Sequence, residues 1–132
     1  MQRDMKLLRE ILLEVEGWTD GRPHYIQQVV LDGYGPEELA YHARLLVEGG
    51  YLLGSITPVF HKPPYVLIQR LSWEGHDFLD AIRDHSVFEK TMAVVKSKFP
   101  SASLSVLKAV AIEVARALLQ AHGIYSGATA RK

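Results

Sequence analysis

Read from its residues alone, this chain is an α+β, mostly helical protein with a winged-helix-like domain (helix, short strand, helix, β-hairpin wing) followed by three C-terminal helices. Three features lead there. Apolar residues recur at helical spacing over most of the length. Two β-rich runs, YLLGSIT (51–57) and YVLIQRL (65–71), lie close enough together to form a hairpin. Directly before them stands a helix signal bounded by Pro36 and by Gly49–Gly50.

Residues 3–16 form the first amphipathic segment. Met5, Leu8, Leu12 and Val15 recur at helical spacing, widened by Leu7 and Ile11, while Arg9, Glu10 and Glu14 take the wet side. GWTDGRP (17–23) is a turn, and Tyr25, Ile26, Val29 and Val30 predict a short strand within residues 24–32. Gly33 and Gly35 break that strand. Pro36 suits a first helical turn, and Glu37 and Glu38 suit its dipole. Leu39, Ala43, Leu46 and Val47 form the apolar stripe of a helix over 36–49, which Gly49–Gly50 ends.

PVFHKPP (58–64) reads as a loop at the hairpin tip, because its prolines cannot join a regular ladder. Ser72 caps a helix over 73–84 whose Phe78, Leu79 and Ile82 point inward. Ser86 and Glu89 fit a capping box for a helix over 87–98, with Phe88, Met92, Val95 and Phe99 as its stripe and Pro100 as its stop. Ser101 or Ser103 caps a last helix over roughly 104–122. The expected organisation is one globular unit: a winged-helix-like module over 1–86, a helical extension over 87–122 and a flexible tail over 123–132.

The 132 residues suit a single domain, and 48% hydrophobic with 23% charged residues is ordinary globular composition. With no cysteine, disulfide scaffolds, thiolate zinc sites and cysteine nucleophiles are excluded. The opening MQRDMKLLRE alternates charged and apolar residues too closely for a signal-peptide core, so a cytoplasmic protein is expected. Formal charge is zero overall but uneven: −5 over residues 1–86 and +5 over 87–132. Such a dipole favours oppositely charged partners, a second copy included.

In residues 104–121 apolar side chains occupy nearly the whole helix circumference, while Lys108, Glu113 and Arg116 argue against a membrane span. That pattern predicts a homodimer interface through Leu104, Leu107, Val110, Val114 and Leu118, against the alternative of burial within the chain.

The segments QRDMKLLREILLEVE, GYGPEELAYHARLLVEGGYLLG and, most specifically, LSWEGHDFLDAIRD resemble a family of small bacterial and phage proteins, domain of unknown function 2513. The resemblance spans about residues 1–120. It implies a winged-helix-like fold and a prokaryotic or prophage origin, and it carries no catalytic residues.

Helix 36–49 is the candidate recognition helix. At 100° per residue, Glu37, Tyr41, Arg44, Leu45 and Glu48 face outward. Tyr41, Arg44 and Leu45 are therefore candidate binding residues for duplex DNA or a partner protein, joined by His61, Lys62 and Arg70 from the wing. Two glutamates on the same face oppose phosphate, and no helix is expected just before 36–49; both points favour a protein-binding alternative. His76, Asp80 and Asp84 share a helical ridge, which reads as a solvated acidic face, so no metal site is expected. His24, His42, His85 and His122 read as surface or half-buried residues. No GxSxG, P-loop or HExxH motif occurs, and Gly33-Tyr34-Gly35 lacks a third glycine. A non-enzyme with no cofactor and no small-molecule substrate is the expectation.

Overall fold

The computed structural model describes residues 1–99 and 101–121. The expected flexible tail (123–132), His122 and the Pro100 stop lie outside the described residues. The chain divides into two compact units, Met1–Leu79 and Asp80 onward, so the division falls nearer the N-terminus than residue 86.

In the first unit, α1 (Met5–Glu16) starts where the Asp4 carboxylate accepts the Lys6 and Leu7 amides, at 3.0 and 3.2 Å. Its inward stripe, Leu7, Leu8, Ile11, Leu12 and Val15, is fully buried. α2 (Pro36–Glu48) has Pro36 in its first turn, and the Glu38 side chain reaches back to the Gly35 N–H at 3.1 Å. Gly50, at φ 83°, makes the left-handed exit that a residue with a Cβ adopts only with strain.

One histidine ties the two helices together. His42 is 1% exposed; its Nε2 accepts the Asp4 N–H at 2.9 Å and its Nδ1–H donates to the Glu38 carbonyl at 2.8 Å. The expectation of a surface or half-buried residue was wrong here. His42 sits three residues after Leu39 and four before Leu46, on the buried stripe itself.

The sheet is antiparallel and three-stranded, in the order β1 (His24–Tyr25), β3 (Lys62–Leu71), β2 (Leu52–Val59). The strand expected over 24–32 is only two residues long, because Ile26–Gln28 coil into a 3-10 turn. That single turn stands where a helix-turn-helix places its first helix. The Gln27 carboxamide substitutes for the missing strand: its Nε2 donates to the Pro64 carbonyl at 2.8 Å, and its Oε1 accepts the Val66 N–H at 3.5 Å.

The hairpin also departs from expectation. Its turn is only Phe60-His61, with His61 at φ 59°, and the prolines lie inside the strands. They are tolerated because pairing jumps from Thr57↔Tyr65 to Val59↔Lys62, which gathers Pro58, Pro63 and Pro64 into one irregularity of the ladder. A second shift, between Leu53↔Arg70 and Gly54↔Ile68, leaves Gln69 with no opposite residue. Gly54 makes it feasible, since a Cβ there would stand 2.2 Å from the Leu67 carbonyl oxygen.

α3 (Trp73–Ile82) begins as the sequence indicated: Ser72 Oγ accepts the Gly75 N–H at 3.0 Å, and its hydroxyl donates to the Gly50 carbonyl. Gly75 lets this turn approach the chain at Tyr51, where a Cβ would lie 2.0 Å from the carbonyl oxygen. Phe78, Leu79 and Ile82 are buried as expected, and Trp73 is 82% exposed.

In the second unit, α4 (His85–Lys98) packs against α5 (Leu104–Ala121). The cap of α4 is Asp84, which accepts the Val87 N–H at 2.9 Å, rather than Ser86. Its buried residues are Val87, Phe88, Thr91 and Val95; Phe99, expected on the stripe, is 46% exposed. Ser103 caps α5 through the Val106 N–H at 3.3 Å.

Candidate nucleic-acid interface

α2 buries Leu39, Ala43 and Leu46 and turns Glu37, Tyr41, Arg44, Leu45 and Glu48 the other way. The tight Phe60-His61 turn carries the hairpin end up to that outer side. Between them lies a groove of about 420 Å³, lined by Glu37, Tyr41, Arg44, His61, Lys62, Pro63 and Pro64. Four of the six residues singled out for binding therefore meet: Tyr41, Arg44, His61 and Lys62.

Arg44 is braced on its own helix. Its guanidinium lies 5.4 Å from the Tyr41 ring centre, and its Nε stands 3.7 Å from a Glu48 carboxylate oxygen. That separation is an ion pair without a hydrogen bond, and Nε is buried with no hydrogen-bond partner among the described residues. Phe60, 84% exposed, meets the His61 ring at 3.9 Å between ring centres, tilted by 51°. The lining charges are Glu37 against Arg44 and Lys62, a slight cationic excess.

The other two singled-out residues do not join. Leu45 is half-buried on α2 and does not line the groove. Arg70 lies at the far end of β3, where it lines a separate cleft with Trp18 and Arg22 and donates to the Leu71 carbonyl at 3.4 Å. Lys62 and Arg70 are eight residues apart on one strand, which separates them by roughly 25 Å.

The residues expected at a dimer interface divide on α5. Leu104 and Leu107, with Ala111, are buried within the chain, because α4 covers that arc. Val110, Val114 and Leu118 are half-buried, and the outermost apolar residues are Val106, Ile112 and Leu119.

On the acidic ridge, Asp80 is paired with Arg83 at 2.7 Å and Asp84 serves as the α4 cap. Among the described residues no three His, Asp or Glu side chains are placed to hold a metal, and no helix is long and apolar enough to cross a membrane.

The element order, the β1-β3-β2 sheet and the groove beside the hairpin turn define a winged-helix-like protein. The chain matches, over residues 2–101, the family described as Hypothetical protein (DUF2513), and it belongs to that family. It is 32% identical over 111 residues to an uncharacterized protein of Haemophilus influenzae, an alignment covering 84% of this chain and 92% of the relative. No solved structure matches it.

Proposed function

We propose that this chain is a non-enzymatic DNA-binding protein of a bacterial or prophage cytoplasm, with a role in transcription regulation. In this reading the outer face of α2 and the hairpin turn hold the duplex. One observation carries it: Tyr41, Arg44, His61 and Lys62, supplied by two separate elements, line a single groove. Arg44 and Lys62 would each neutralise phosphate, and the Tyr41 hydroxyl offers a further donor.

A mobility-shift titration on generic duplex DNA at several salt concentrations tests it. Phosphate contact gives a log–log salt slope of about −0.9 per phosphate neutralised, so Arg44→Ala with Lys62→Ala should flatten it by about 2. A wild-type complex with no salt slope, or a double variant with unchanged affinity, overturns the reading.

A second reading, a protein-binding module without nucleic-acid contact, is favoured by the acids on the same face. Glu37 lines the groove, and Glu48 offsets part of the Arg44 charge. It predicts a flat duplex titration for wild type and variant alike.

A further inference from the structure

We infer that a second site lies at the opposite end of β3, a cleft for a small ligand carrying a carboxylate or phosphate on an apolar ring. The cleft, about 410 Å³, is formed by Val15 at the end of α1, the segment Trp18–Pro23, and Gln69 and Arg70 of β3.

The loop that makes one wall is held in place before any ligand arrives. Trp18 donates its indole N–H to Glu14 at 3.1 Å, and its ring lies 4.7 Å from that of His24. Asp20 accepts the Arg22 N–H at 3.0 Å and meets His24 Nε2 at 2.7 Å. These bonds hold the Asp20 carboxyl below its usual range: the Arg22 amide lowers it most, and the His24 hydrogen bond and charge lower it further against a desolvation that raises it. Asp20 thus spends its acceptors on its own loop, and the Arg22 guanidinium, 80% exposed, stands 3.9 Å from it.

The other wall is set by the ladder. The register shift beside Gly54 gives Gln69 no opposite residue, and such irregularities re-aim side chains. Here Gln69 and Arg70 line the same cleft as Arg22. A guanidinium's planar fork of donors matches a carboxylate or phosphate and stacks on flat groups; Arg70 gives one of its N–H groups to the Leu71 carbonyl. Asp20 offsets Arg22, so Arg70 leaves the lining with one net positive charge, which favours an anion. The indole supplies the apolar surface for its ring.

The cleft contains neither the α2 face nor the hairpin turn, so it stands apart from the DNA reading. Its test uses phenyl phosphate, benzoate and inorganic phosphate as probes. Trp73→Phe leaves Trp18 as the sole tryptophan, and Trp73 is 82% exposed, so the fold is retained. Titrating phenyl phosphate or benzoate should change Trp18 fluorescence saturably, and the tighter of the two identifies the acid. Arg22→Gln and Arg70→Gln should each weaken that binding by about tenfold, as loss of a charge-assisted bond does, while Lys62→Gln leaves it unchanged. Absence of a saturable response, or equal affinity in the Arg22→Gln, Arg70→Gln double variant, overturns the inference. Inorganic phosphate binding as tightly as phenyl phosphate would overturn the role of the indole.

Discussion

His42 uses both ring nitrogens on backbone partners, one on the first turn of α1 and one on its own helix. Removing the ring leaves the Asp4 N–H without its acceptor in a part-buried place, and that penalty exceeds the net worth of an ordinary hydrogen bond. His42→Leu should therefore destabilise the fold by about 1–3 kcal/mol, read as a lower urea midpoint at unchanged m-value. An unchanged midpoint would refute the structural role. From the sequence His42 is expected at the surface or half-buried, because an imidazole carries no apolar signal; its burial and the atoms it meets depended on where Asp4 packs, 38 residues away.

At the scale of elements, the junction between Gly50 and Gly75 joins the hairpin to α3. Tyr51 accepts the Ser72 N–H at 3.1 Å, and Gly75 passes directly beneath the same carbonyl. Gly75→Ala would drive a methyl group into backbone oxygen, so the strand start or the helix must shift. The expected loss is about 1–3 kcal/mol or more, visible in thermal unfolding, whereas Gly21→Ala, in open space but at φ 71°, strains only its own loop. The Ser72 cap, the Pro36 start and the Gly50 stop were all legible, because each acts within a few residues. The strand over 24–32 and the loop over 58–64 were not. Proline excludes a strand only where its ladder position needs an N–H, and that requirement is set by the partner strand.

For the whole molecule, the all-round apolar character of residues 104–121 is answered within the chain along one arc, where Leu104, Leu107 and Ala111 are buried. What remains outward is a flank with Ile112 and Leu119, each 41% exposed, beside a groove of about 430 Å³ that Val87, Ala111 and Ala115 also line. If a second copy covers it, light scattering should give a dimer for wild type and a monomer for Ile112→Asp or Leu119→Asp, with melting unchanged. Leu107→Asp should instead unfold the chain, because it buries an unpaired charge. A wild type that is monomeric at high concentration ends the homodimer proposal.

Amphipathic spacing, proline and glycine punctuation and serine caps were enough to specify the helices and the hairpin, because those signals act over a turn or two of chain. The grouping of side chains into sites came from strand register and helix packing. Lys62 and Arg70 look like neighbours in the sequence, yet an extended strand carries them to opposite ends of the sheet, and each joins residues from a different segment of the chain.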